Sequence, residues 1–78
     1  MLNLVVLLSE PAASRVDLFD VTGRRVRTLA ARELPAGASV LPWDGRDDAG
    51  ASLRRGVYFA RLQASGCVRT ARVVLLAH

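Results

Sequence analysis

Residues 16–29 read VDLFDVTGRRVRTL, and this stretch combines an extended run, a tight turn and a second extended run. Val16 and Leu18 alternate with polar residues, so they share one face of a strand. Asp20 is first in the turn, where its side chain accepts a hydrogen bond from the backbone two residues on. Gly23 is fourth, where a positive φ is tolerated. The stretch therefore predicts an antiparallel β-hairpin.

Similar turns recur along the chain. Asp47 and Gly50 occupy the same first and fourth positions, and Pro35 and Gly37 form a third turn of this length. Ser65-Gly66 is a shorter turn signal. Between the turns, runs of strand length and composition cover residues 2–8, 15–21, 24–32, 38–44, 51–54, 56–64 and 68–76. The pattern predicts one all-β domain over residues 1–78, with seven antiparallel strands in a sandwich or small barrel.

Two places depart from simple alternation. Val26 and Leu29 are both apolar but three residues apart, which predicts either a bulge near Arg27-Thr28 or one helical turn. Propensity alone would allow a helix over residues 24–34, but no helix cap follows the preceding turn, so we favour a strand. Pro42 cannot donate to a β-ladder, so its strand is predicted either to lie at a sheet edge or to turn the missing N–H outward.

The composition is that of an ordinary globular domain, with one unusual feature. All eleven basic residues are Arg, the net charge is +4, and the arginines are interleaved with apolar residues along the chain. Since nucleic-acid binding needs basic residues gathered on one face, we expect no nucleic-acid partner. Residues 1–8 are apolar but too short for a membrane span or a signal peptide, so we expect no membrane insertion, and any export signal would lie elsewhere in a longer protein.

The residues offer little for catalysis. His78, the only histidine, ends the chain, where fraying is expected. Cys67 is the only cysteine and is predicted to be a small buried hydrophobe. The glycines match no phosphate-binding loop, and no zinc-ligand spacing is present. The sequence therefore predicts no enzymatic activity, no bound cofactor and no resident metal.

One weak metal candidate stands in the loop over residues 44–50. Asp44, Asp47 and Asp48 could supply oxygen ligands to a hard cation such as Ca²⁺. The spacing is not that of an EF-hand loop, and its final Glu is missing. The alternative, which we favour, is that these aspartates cap turns and stay solvated.

Two apolar features allow more than one interpretation. Tyr58 and Phe59 are adjacent in a strand, so they face opposite sides and at least one is predicted to lie in the core. Residues 73–76 form a continuous apolar run near the C-terminus. This run is either a final strand buried on one face or an edge strand that pairs with a partner by β-augmentation.

Four blocks of the chain together resemble a known family. They are VDLFDVTGRRVRTL at residues 16–29, PAG at 35–37, WDGRDDAG at 43–50 and GVYFARL at 56–62. In this order they resemble the immunoglobulin-like domain of flagellar hook-capping proteins and the closely similar C-terminal sorting domains of type IX secretion cargo. The motif residues that carry the resemblance are Asp20, Gly23, Arg24, Gly37, Trp43, Asp44, Gly45, Gly50, Gly56 and Tyr58.

The resemblance implies a non-catalytic, seven-stranded immunoglobulin-like β-sandwich whose partners are proteins. Its first implication is a C-terminal module of a longer secreted bacterial protein, recognised by an export machinery for sorting or cell-surface attachment and so extracytoplasmic. Its alternative is a structural assembly domain of the hook-capping type, whose partners are assembly subunits. Sorting domains usually carry Lys in the last strand, whereas this chain has Arg69 and Arg72.

Overall fold

The computed structural model describes residues 2–76 and places them in six β-strands. The strands are β1 (Leu2–Leu8), β2 (Ala12–Phe19), β3 (Arg25–Leu34), β4 (Gly37–Trp43), β5 (Gly56–Ala64) and β6 (Cys67–Leu75). Over this range no helix is long and apolar enough to cross a bilayer. The prediction made for His78 lies outside the described residues.

The strands form two antiparallel sheets. One has four strands in the order β3-β2-β5-β6, and the other consists of β1 and β4. Every pairing is antiparallel, so the all-β antiparallel prediction is confirmed. β1 and β4 pair throughout, from Leu2 opposite Trp43 to Leu8 opposite Gly37. Among the described strands β4 pairs with β1 alone, which confirms the edge position predicted from Pro42.

The prediction of seven strands is wrong, because residues 51–54 do not form one. Ser52 makes only an isolated bridge to Arg46. The Leu53 N–H donates to the carbonyl oxygen of Gly45 over 2.9 Å. The backbone of this segment is therefore bonded within the β4–β5 loop and adds no strand to either sheet.

β3 departs from regular pairing at the two apolar residues that are three apart in the sequence. Its register with β2 shifts twice, so that Val26 and Leu29 have no Cα partner on β2. The predicted bulge is thus confirmed, in two copies, and the helical alternative is wrong for this segment. A bulge re-aims side chains without ending a strand, and Val26 is buried as a result.

The core consists of two clusters of buried apolar side chains. Leu18 and Trp43 are the most buried members of the first, with 0% and 1% of their surface exposed. Val16 and Leu41 belong to the second. Full burial of one large apolar side chain contributes about 1.5–3 kcal/mol. Because each cluster contains residues of both sheets, the sheets stabilise each other.

Cys67 does not lie where the sequence predicted. It is exposed at the start of β6, opposite Ala64 of β5, and its thiol is free. Its side chain is on the same face of the sheet as the core, but this end of β6 extends beyond the part of the face that is buried. The prediction of a small buried hydrophobe is therefore wrong.

Candidate functional site

Trp43 and Tyr58 lie together, although 14 residues separate them in the chain. Their rings meet edge to face, with centroids 5.5 Å apart and planes at 75°. The Trp43 Nε1–H donates to the carbonyl oxygen of Arg46 over 3.0 Å, and the Tyr58 hydroxyl donates to the carbonyl oxygen of Arg54. Both aromatic residues thus bury their rings while their polar atoms hold the two ends of the β4–β5 loop. Phe59, the neighbour of Tyr58, is half-buried on the other face of the sheet.

The turn between β2 and β3 is organised by the carboxylate of Asp20. Its Oδ1 accepts hydrogen bonds from the Thr22 N–H at 2.9 Å, the Thr22 hydroxyl at 2.6 Å and the Arg24 N–H at 3.1 Å. Gly23 has a φ of 86° and donates its N–H to the carbonyl oxygen of Asp20. The Thr22 hydroxyl, helped by the backbone N–H donors, lowers the pKa of Asp20.

Asp44 and Asp47 perform the same kind of task in the β4–β5 loop. The Oδ1 of Asp44 accepts the Arg46 N–H at 3.0 Å. The Oδ1 of Asp47 accepts the N–H groups of Ala49 at 3.0 Å and Ala51 at 2.9 Å. The Arg46 N–H bond is the main cause of a lowered pKa at Asp44, and the charge of Arg27 adds to it. Each carboxylate therefore stabilises its own half of the loop.

Asp48 connects this loop to the bulged strand β3. Its N–H donates to the carbonyl oxygen of Val26, and its Oδ1 accepts the N–H of Thr28, both over 3.0 Å. These two backbone groups belong to the outer edge of the four-stranded sheet, where β3 has no strand neighbour. Asp48 therefore takes the place of a strand partner at the point where the bulges make β3 irregular.

Arg27 holds the same loop with its side chain. Its guanidinium donates to Asp44 Oδ1 at 3.2 Å and to the carbonyl oxygen of Arg46 at 3.0 Å. Its Nε also lies 3.8 Å from Asp48 Oδ1. Sequence reasoning missed Arg27, because nothing in the spacing of the chain shows that residues 44–48 return to β3.

The three aspartates proposed as weak cation ligands do not form a shared site. Asp44 and Asp48 both approach Arg27, whereas Asp47 is bonded to backbone N–H groups of its own turn. Residues 2–76 contain no group of three His, Cys, Asp or Glu side chains placed to hold a metal ion. Asp44 and Asp47 make the contacts of turn caps, whereas Asp48 bonds to the edge of β3.

A second interaction that sequence reasoning missed lies on the outer face of the larger sheet. Asp17 is 1% exposed, yet its carboxylate accepts hydrogen bonds from Arg15 Nε at 2.8 Å and from the Thr28 hydroxyl at 2.7 Å. Burial raises the pKa of Asp17, but these hydrogen bonds and the charges of Arg15 and Arg25 outweigh it, so the pKa lies below the usual value. Arg15 and Asp17 are two residues apart in one strand, which was the available signal.

Aromatic and arginine side chains share that outer face. Phe19 of β2 lies opposite Phe59 of β5, and the guanidinium of Arg61 lies 4.6 Å from the centre of the Phe19 ring. The Nε of Arg61 is buried and has no hydrogen-bond partner among the described residues. A shallow cavity of about 360 Å³ adjoins these three side chains. Arg61 is therefore held mainly by its contact with the ring.

The remaining motif residues lie at element ends or within the β4–β5 loop. Arg24 immediately precedes β3, Gly37 begins β4 and Gly56 begins β5, while Gly45 and Gly50 lie within the β4–β5 loop. All five motif glycines have positive φ. The motif thus divides into two turns, one loop and an aromatic pair. Burial raises the pKa of Tyr58, and the charge of Asp20 adds to this effect.

The polar groups of these residues bond mainly to other groups of the same domain. The carboxylates of Asp20, Asp44 and Asp17 accept hydrogen bonds from a backbone N–H, a guanidinium and a hydroxyl of the same domain. The described residues thus define an antiparallel all-β domain whose motif residues hold loops against sheets.

A comparison with known families agrees with this class. The family model described as the FlgD Ig-like domain matches residues 2–66. Since the match covers most of the chain, the chain belongs to the FlgD Ig-like domain family. No curated protein matches it.

Proposed function

We propose that this chain is a structural assembly domain of the flagellar hook-capping type, which works through protein contacts and not by catalysis. The observation that carries the proposal is the family match over residues 2–66. This match favours the hook-capping alternative over the sorting function, for which the comparisons offer no support.

The geometry of the motif residues supports a structural role. Asp20, Asp44 and Asp48 direct their carboxylates at backbone N–H groups of the domain itself. The indole N–H of Trp43 and the hydroxyl of Tyr58 donate hydrogen bonds to carbonyl oxygens of the β4–β5 loop. Residues with these tasks build a rigid scaffold, and a scaffold suits a protein that positions other subunits.

We also propose that the two sheets pack as an immunoglobulin-like sandwich. The support is the composition of the two clusters, since Trp43 of the smaller sheet joins Leu18 of the larger one, and Leu41 joins Val16 in the same way. The expected partners are assembly subunits, and the expected place of action is outside the cytoplasm.

Deletion of the coding region in its own bacterium tests the function. We expect hooks to be absent or short in electron micrographs and swimming in soft agar to be lost. Wild-type protein and a Glu33→Ala variant, changed at an exposed position of β3, should both restore hooks, while Trp43→Ala should not. Normal hooks and normal swimming after deletion would refute the proposal.

A further inference from the structure

A groove runs along the open side of the domain, between β1 of the smaller sheet and β6 of the larger sheet. A cavity of about 170 Å³ is lined by residues of both strands and has apolar side chains of β2 and β5 as its floor. A second cavity of about 440 Å³ continues it. The two cavities share Leu7, Leu62 and Arg69. Together the two cavities adjoin residues 4–8 of β1, so the groove follows several residues of that strand.

Strand edges form the walls of this groove. Residues 4–7 of β1 and residues 69–71 of β6 line it consecutively. Because successive side chains of a strand point to opposite faces, a consecutive run at a wall means that the backbone edge itself borders the groove. Among the described strands, β1 pairs with β4 alone and β6 with β5 alone. Both edges are therefore open to a further strand.

The inner face of β6 extends beyond the part that the smaller sheet covers. Arg69 and Ala71 lie opposite Leu62 and Ala60 of β5, and all four side chains are on the core face of the sheet. Ala60 is buried and Leu62 half-buried, whereas Arg69 and Ala71 are exposed. A strand added beside β1 would cover this face.

Charge indicates what kind of strand fits. All seven acidic residues lie within residues 1–50, whereas residues 51–78 contain five Arg and no Asp or Glu. The Arg69 guanidinium has no ion-pair partner among the described residues and donates only to the neighbouring carbonyl oxygen of Val68, over 3.5 Å. The part of the groove formed by the smaller cavity thus combines an apolar floor with the positive charge of Arg69, and a carboxylate complements that charge. Glu10 lines the larger cavity, and the described residues show no ion pair between it and Arg69.

We propose that this groove binds an extended, mainly apolar segment of a partner protein, which adds a strand to β1 and presents a carboxylate to Arg69. Main-chain hydrogen bonds to an open edge provide affinity in this mode of recognition, and side-chain pockets provide specificity. The inference rests on the proposed assembly function and deepens it, because it names the surface and the chemistry of the partner segment.

The test uses isotope-labelled chain and three nine-residue peptides of alternating Val and Thr. The first has a central Glu, the second a central Lys, and the third is the Glu peptide with alternate backbone nitrogens methylated. NMR titration of the Glu peptide should shift the amide signals of residues 4–7 and 69–71 and leave those of β3 in place. The Lys peptide should bind about tenfold more weakly, the loss expected from opposing a desolvated charge. The methylated peptide should not bind, because it lacks the donors.

Charge reversal gives the matched controls. Arg69→Glu should reverse the order of the two peptides, while Arg32→Glu, the same change at an exposed position of β3, should leave it unchanged. Equal binding of the Glu and Lys peptides, shifts centred on β3, or no binding at millimolar peptide would overturn the proposal. So would a dimer in sedimentation experiments that protects residues 4–7 and 69–71, because a second copy would then occupy the groove.

The two proposals fail separately. If the peptides do not bind but hook assembly still depends on the chain, the groove proposal is refuted and the assembly function stands. If hooks are normal after deletion but the peptides bind at residues 4–7 and 69–71 with the expected charge dependence, the assembly function is refuted. The groove then serves a different partner.

Discussion

The two edge strands of the four-stranded sheet, β3 and β6, differ in their regularity. At the β3 edge, two bulges interrupt the strand, and Asp48 bonds both the Val26 carbonyl and the Thr28 N–H. At the β6 edge, nine consecutive residues pair with β5 without a register shift. Bulges and covering loops protect an edge from pairing with other chains. The difference teaches that this domain covers one edge of its larger sheet and leaves the other edge, beside the groove, regular.

Trp43→Ala should cause the largest loss at the closed edge, because Trp43 both fills the core and holds the loop through the Arg46 carbonyl. We expect the free energy of unfolding to fall by about 3–5 kcal/mol, as for other large buried aromatics. Denaturant unfolding measures this. Trp43→Phe keeps most of the volume and should cost less. A denaturation midpoint that Trp43→Ala leaves unmoved would contradict the core position.

Gly23→Val should act on the turn from which β3 starts. Gly23 has a φ of 86°, and a β-branched residue is strained there. We expect a loss of about 1–2 kcal/mol in the free energy of unfolding. Gly23→Asn is the control, since Asn tolerates positive φ better, and it should cost less. Equal stability of the Val variant and the wild type would argue against this turn.

Asp48→Ala should open the β3 edge itself. The Thr28 N–H loses its acceptor, and the loss of one such hydrogen bond costs about 1 kcal/mol. Hydrogen exchange should accelerate at Thr28 and leave the β5–β6 amides unchanged. Glu33→Ala, at an exposed position of the same strand, should change neither the stability nor the exchange at Thr28. Unchanged exchange at Thr28 would mean that Asp48 does not protect this edge.

Acid should weaken the closed side of the domain specifically. Asp17, Asp20 and Asp44 have lowered pKa values, and all three support β2, β3 or the loop above them. A carboxyl whose pKa is lower in the folded state stabilises the fold above its unfolded value of 3.8, and that contribution is lost as the pH falls through the folded pKa. Unfolding midpoints should therefore drop below pH 3.8, and less steeply in Asp17→Asn. Equal slopes in the two proteins would exclude this role of Asp17.

Arg69→Ala should have the smallest effect on stability. The side chain is exposed and forms no ion pair among the described residues, so we expect a change within about 0.5 kcal/mol in either direction. Thermal unfolding of the free chain tests this. A loss as large as that of Asp48→Ala would mean that the β6 edge is supported by Arg69 and is not simply open.

Several elements of the fold could be predicted because their causes are local. Asp20 and Gly23 make their turn with their own neighbours. The spacing of Val26 and Leu29 predicted a bulge or a helical turn, since a regular strand cannot bury residues three apart on one face. The prediction failed at residues 51–54 because their composition is that of a strand, while their backbone groups are bonded within a loop.

The order of the strands and the state of each edge are not local properties. Asp48 reaches Thr28 across 20 residues, and Arg69 and Leu7 line the same cavity only because the fold brings β1 and β6 to opposite sides of it. Alternation, turn chemistry and charge sign are properties of neighbouring residues, so the sequence by itself determined the all-β class, the turns and the acid-free C-terminal third. Which edge is closed and which borders a groove depends on contacts between distant segments, so only the tertiary structure decided it.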